Sequence, residues 1–202
     1  MRKTLRASIF MISLLLLSGN NLWAQFGLKV GATLSFAGEE SAIYNASNLF
    51  AAKVGLFYSV TISKSLSIQP EIYFSMKGGK YYSVHWRATD SVRLNYIEIP
   101  ILINISLIKE KLYLFLGPYV SFLISETEID DEHDWTWIEN KVKDNDFGVS
   151  LGARYHVIRA VFVEIQFNHG LTKVVYDPNP VPQSLDRVHK NKTLSLLVGF
   201  NF

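Results

Sequence analysis

The chain has no cysteine among its 202 residues, which excludes a disulfide framework, a thiolate metal site and a lipid-modified cysteine after a leader. Its remaining apolar runs are all short. Beyond the N-terminus no stretch approaches the eighteen apolar residues that a membrane-crossing helix needs. Charge of either sign is scarce in excess, with 20 Lys and Arg against 18 Asp and Glu, and the basic residues form no stripe of the kind that tracks nucleic acid. Only six prolines occur, and three of them crowd into one segment at Pro178, Pro180 and Pro182. What remains is an apolar surplus: 49% hydrophobic and 13% aromatic residues that must be buried or covered.

The N-terminus accounts for a little of that surplus. Met1-Arg-Lys-Thr-Leu-Arg6 is basic, Ala7–Leu17 is almost wholly apolar, and Ser18-Gly-Asn-Asn-Leu-Trp follow before the small Ala24. This is the layout of a secretory signal, with cleavage expected after Ala24. The apolar stretch is too short to span ~30 Å of hydrocarbon as a helix. The expected organisation is therefore a signal peptide over residues 1–24 and a single domain over 25–202. Removing the leader takes the basic count from 20 to 17 against 18 acids, so the exported chain is nearly neutral.

The rest of the chain alternates. In the last segment Leu194, Leu196, Val198, Phe200 and Phe202 fall on one side of a strand, and Thr193, Ser195, Gly199 and Asn201 on the other, with Leu197 the exception. The same period of two runs through Phe26–Phe36, Ala52–Ile62, Leu66–Lys77, Ile97–Ile105, Leu112–Ile124, Asp146–His156 and Val161–Asn168. Eight such segments, each near the ~9–11 residues that cross a bilayer at a tilt, predict an all-β, closed, eight-stranded antiparallel transmembrane barrel of the OmpA/OmpX-like kind. Connections are expected to alternate, short near Ser63–Ser65, Ser106–Lys111 and Val157–Arg159. Long ones are expected over Ala37–Asn48, Gly78–Asp90, Ser125–Asn145 and Val175–Asn191. Long loops then lie outside the cell, and an even strand number leaves both termini in the periplasm. A soluble barrel would carry the same alternation with its faces exchanged; the unbroken aliphatic face favours lipid. Pro70, Pro100 and Pro118 sit inside strands and remove ladder donors, so bulges or widened pairings are expected there.

An eight-stranded barrel is just wide enough for side chains to fill it. On the face opposite the aliphatic one lie Lys29, Lys53, Lys77 and Arg154 with Glu71, Glu98 and Glu164, and Tyr73, Tyr96, Tyr113, Phe115 and Tyr119 add bulk. Buried charges must be paired, so these seven are expected to form a lumen charge network, as a structural plug or, alternatively, as the lining of a gated path for ions or small solutes. Chemistry is thinly represented. His169, Ser195 and Glu164 are near one another in strand order, yet His169 has lipid-facing parity and the other two face the lumen, so no catalytic triad is expected. A lipid-modifying enzyme is accordingly the weakest reading. The acidic run Ser125–Glu139 lacks calcium-loop spacing, and no metal or cofactor site is expected. Trp86, Trp135 and Trp137 lie in the expected loops as candidate contacts, either with lipid headgroups or with a partner.

Several stretches carry a resemblance. Gly27-Leu-Lys-Val-Gly-Ala-Thr-Leu-Ser, Gln69-Pro-Glu-Ile-Tyr-Phe-Ser-Met-Lys-Gly, Leu94-Asn-Tyr-Ile-Glu-Ile-Pro-Ile-Leu, Phe115-Leu-Gly-Pro-Tyr-Val-Ser, Asp146-Phe-Gly-Val-Ser-Leu-Gly and the closing Leu-Val-Gly-Phe-Asn-Phe occur in this order. The set resembles the PorT-like outer-membrane β-barrel family of Bacteroidetes. The resemblance implies an outer-membrane barrel without catalytic residues, whose eponymous member is linked to protein export by the type IX pathway. It also implies outer-membrane lipid and envelope or secretion components as partners. The terminal aromatic, Phe202, is what bacterial outer-membrane barrels usually present to their assembly machinery.

Overall fold

The computed structural model describes residues 24–36, 44–83, 88–129, 145–172, 174–175 and 188–202. Every regular element among them is a strand: β1 Ala24–Phe36, β2 Tyr44–Ser63, β3 Leu66–Ser83, β4 Ala88–Ile108, β5 Leu112–Ile129, β6 Asn145–Ile158, β7 Val161–Gly170, β8 Val174–Val175, β9 Val188–His189 and β10 Lys192–Asn201. Strands β8 and β9 pair only with each other; the other eight close a barrel in the order β1-β10-β7-β6-β5-β4-β3-β2. All its neighbours are antiparallel, and the seam is a full ladder in which Leu28 faces Phe200 and Leu34 faces Leu194. The chain end is stitched into that seam: Phe202 N–H donates to the Phe26 carbonyl at 2.8 Å. No described helix is long and apolar enough to cross a membrane, so any crossing is made by strands.

The two faces of the wall are sorted in the opposite sense to a soluble protein. Ile101, Ile103 and Ile105 lie outside, each about half exposed, while Glu98, Leu102 and Asn104 on the same strand are buried. On β10 the outward set is Leu194, Leu196, Val198 and Phe200, and Thr193, Ser195 and Leu197 point in. An apolar girdle this continuous has no place in water; it matches the lipid-facing band of a membrane barrel. The lumen is the core.

The strands outrun the alternating segments at the end with the longer connections. Residues expected to be loop are ladder instead: Tyr44–Asn48 pairs with Gly79–Ser83, and Gly78–Ser83 pairs with Ala88–Arg93. Strand β5 continues to Ile129, with Ser91 opposite its last residue. Backbone pairing needs no apolar face, so these extensions carry no period-two signature. At the opposite end β4 runs on to Ile108 and the chain reverses through Glu110, whose φ of 61° is left-handed.

The prolines are accommodated without bulges. Pro70 still opposes Ile101, Pro100 opposes Tyr119, and Pro118 opposes Val149. The β3–β4 and β4–β5 ladders each skip two partner pairs beside a proline and resume in the same register, so a donor is lost but no residue is inserted. Register shifts fall elsewhere, as at Asn48/Lys53 and Asn95/Tyr96. Within the β4–β5 gap Gly117 faces Leu102, and a Cβ there would come within 1.9 Å of the Ile101 carbonyl oxygen. Close approach of backbone excludes any larger residue.

This sorting yields a direct test. Arginine at Ile101 puts a charge into hydrocarbon and should cost ~2–4 kcal/mol in reversible unfolding from lipid vesicles. Arginine at Leu102, which is 0% exposed, should instead leave little heat-modifiable, folded protein, because the packed lumen has no room for it.

Candidate functional site

The described interior buries eight charged side chains: Lys29, Lys53, Lys77, Arg154, Glu71, Glu98, Asp146 and Glu164. Their inward placement follows from strand parity, since each occupies a position alternating with lipid-facing neighbours. They gather into two groups, stacked along the barrel.

The group nearer the short turns joins β1, β3, β6 and β7. Lys29 Nζ lies 2.5 Å from Glu71 Oε1 and 2.7 Å from Glu164 Oε1. Arg154 reaches Glu164 Oε2 through Nη2 at 2.7 Å and through Nε at 2.8 Å. Gln69 ties the two carboxylate neighbourhoods together, accepting from Arg154 Nη1 at 2.8 Å and donating to Glu71. The group nearer the loops joins β2, β3, β4 and β6. Glu98 bridges Lys53 at 2.6 Å and Lys77 at 2.9 Å, and Lys77 also contacts Asp146 at 3.4 Å. Gln166 and Asn168 on β7 complete this shell, accepting from Lys53 and donating to Glu98 respectively.

Each group holds two cations and two anions, so each is neutral by itself. Sequence parity placed seven of the eight charges and left Asp146 out. The signal was available: Asp146 precedes Arg154 by an even number of residues on β6, which puts both on one face. Asp146 also accepts from Tyr119 Oη and from Asn191 Nδ2, both at 3.0 Å, so it ties the root of β10 to the lumen.

Aromatic rings fill the space around the charges. Lys53 Nζ sits 4.2 Å from the centroid of Tyr73, and Lys77 lies 5.0 Å from Tyr96 and 4.9 Å from Tyr119. Arg154 packs 4.6 Å over Phe162. These rings add cation–π attraction where water is excluded. They fit because the neighbouring strand offers glycine: a Cβ on Gly199 would meet Phe162 at 2.0 Å, and one on Gly27 would meet Phe57 at 2.2 Å. Tyr113 is only half-buried and lies at the turn-end mouth, 5.4 Å from the His156 ring.

The remaining candidates separate. Ser195 Oγ is engaged with Thr33 Oγ1 at 2.7 Å inside the lumen, whereas His169 stacks on Phe167 on the outer face. They cannot act together. No group of three potential metal ligands occurs among the described residues. Trp86, Trp135 and Trp137, the acidic run from residue 130 onward and the three clustered prolines lie outside the described residues.

With this geometry in hand, comparison with known proteins is decisive for the class. The model of the outer membrane protein beta-barrel domain matches residues 20–176. The chain belongs to that family. Membership gives the apolar girdle its solvent, the lipid of the outer membrane. Among solved structures, OprG from Pseudomonas aeruginosa is similar at 12% identity and a TM-score of 0.53, covering 89% of this chain and 96% of that one. Neisserial surface protein A is similar at 14% identity and a TM-score of 0.52, covering 89% and 99%. At such identities the likeness is one of fold. No curated protein sequence matches the chain.

The pairing pattern predicts unequal mutational costs. Glu98→Gln leaves Lys53 and Lys77 facing a neutral amide and should destabilise by ~3–5 kcal/mol. Replacing all four members of the group, Asp146 included, by similar-sized neutral residues should recover much of that loss. Urea unfolding of the refolded barrel in vesicles measures both.

Proposed function

We propose that this chain is a non-enzymatic outer-membrane barrel with a closed lumen, serving a structural or interaction role in the envelope. The observation that carries this reading is the interior itself. Two neutral ion-pair groups, packed among Tyr73, Phe115, Phe162 and Tyr119, occupy the width of an eight-stranded barrel and favour a plug over an open pore. The opposite parity of Ser195 and His169 speaks against a Ser-His hydrolase. In this reading residues 1–24 are an export signal, the short turns and both termini face the periplasm, and the longer connections face outward. Phe202 then serves recognition by the assembly machinery. Outward segments bearing Trp86, Trp135 and Trp137 are the surfaces for envelope partners. The ordered PorT-like stretches further suggest that these partners include components of protein secretion.

A gated ion or solute path is the second reading, favoured by a cavity that enters from the turn end and reaches Arg154. Planar-bilayer recording separates the two. The plug reading expects no stable single-channel steps from the wild-type chain. Reproducible steps whose size changes in Arg154→Gln or Glu98→Gln would establish the channel. Deleting the gene and measuring secreted cargo tests the secretion role: unchanged secretion removes it. Crosslinking from Trp135 or Trp137 on intact cells should recover an envelope protein; recovery of lipid alone would leave a purely structural barrel.

A further inference from the structure

The turn-end mouth of the barrel is not filled. It holds a cavity of about 140 Å³ walled by β2 and β3 on one side and by Tyr113, His156 and Asn201 on the other. That is ample room for several waters or a small anion. Its β2–β3 wall is a run of hydroxyls, Ser59, Thr61, Ser63, Ser65 and Ser67. Thr61, Ser63 and Ser65 are exposed there and Ser59 is half-buried, so these hydroxyls face the open cup.

The charge in the cup has one sign. Arg154, only 5% exposed, lines its inner end, and Lys64 lines it from the β2–β3 turn; no carboxylate lines it. The carboxylates of Glu71 and Glu164 lie deeper, 0% exposed on their side chains. A guanidinium has five N–H donors. Contacts to Glu164 and Gln69 engage Nε, Nη2 and Nη1 once each, so donors remain that are not used inside the network. A pocket lined by hydroxyls, a guanidinium with donors left over and a lysine at its lip suits negative oxygen, with Glu164 and Glu71 set behind Arg154 and away from the lining.

We propose that this cup is a binding site for a small oxyanion, a phosphate or carboxylate group either free or at the end of a larger polar ligand. Arg154 would receive one oxygen at the base through N–H groups left over from its ion pair. Thr61 and the serines would donate from the wall, and Lys64 would close the lip. The network behind it fixes Arg154 in place, so little order is lost on binding. This site differs from the plug reading and stands whether or not the lumen conducts.

The test uses the whole chain refolded in detergent micelles, with heat-modifiable migration confirming each variant's fold. Amide and side-chain resonances from Thr61 to Ser67 and of Arg154 are followed as sodium phosphate or sodium acetate is added, with sodium chloride at matched ionic strength as reference. The expected result is a saturable shift confined to the cup with phosphate, acetate or both, phosphate alone marking a tetrahedral ligand and acetate alone a planar one. Lys64→Glu, at an exposed turn, should weaken binding about tenfold, and Thr61→Val should weaken it while leaving the fold intact. Absence of saturation with both anions, equal shifts with chloride, or unchanged affinity in both variants would overturn the proposal.

Discussion

Everything in this molecule depends on one constraint: charges buried inside a narrow barrel must neutralise one another at contact distance. An isolated ammonium or carboxylate at these positions would cost several kcal/mol even after relaxation. The chain meets the requirement locally. Lys29 and Arg154 are answered by Glu71 and Glu164, and Lys53 and Lys77 by Glu98 and Asp146. Neither group relies on the other. Against a fully apolar interior such pairs are at best a modest source of stability; what they confer is a unique arrangement of strands around them.

The outer face depends on the opposite logic. Lipid supplies no driving force to hide Ile103 or Leu196, so the wall leaves them exposed and pairs its backbone in a closed ladder, with gaps beside the prolines. Closure at the β1–β10 seam is what makes this possible. The three in-strand prolines mark its tolerance, since a lost donor inside a closed ladder can be accepted if its neighbours hold register.

Much of this was legible in the residues. Period two with an aliphatic face is a local property, so the positions of Ile97–Ile105 and Leu194–Phe200 could be read directly. Parity likewise sorts Lys29 or Glu98 inward, because one lipid-facing neighbour determines its strand's orientation. Partnership was not legible: nothing in linear order says that Lys29 meets Glu164 rather than Glu98, since that depends on the stagger between strands. Asp146 escaped because it stands at the start of its alternating run, where a boundary residue reads equally as loop. Strand length beyond the apolar band was invisible for a related reason. Tyr44–Asn48 and Gly79–Ser83 are paired in the ladder beyond that band.

The ion pair between Lys29 and Glu164 joins residues 135 positions apart, across strands that both neighbour β10. In the finished barrel it bridges the two strands that flank the last one. Without it Lys29 has one of its two carboxylate partners missing. A slip of one residue at the seam would turn Lys29 outward into hydrocarbon, an error far costlier than the hydrogen bonds such a misfit could retain. The buried pair is thus fully satisfied only in the closed cylinder's one register, and a misaligned wall would leave Lys29 without it.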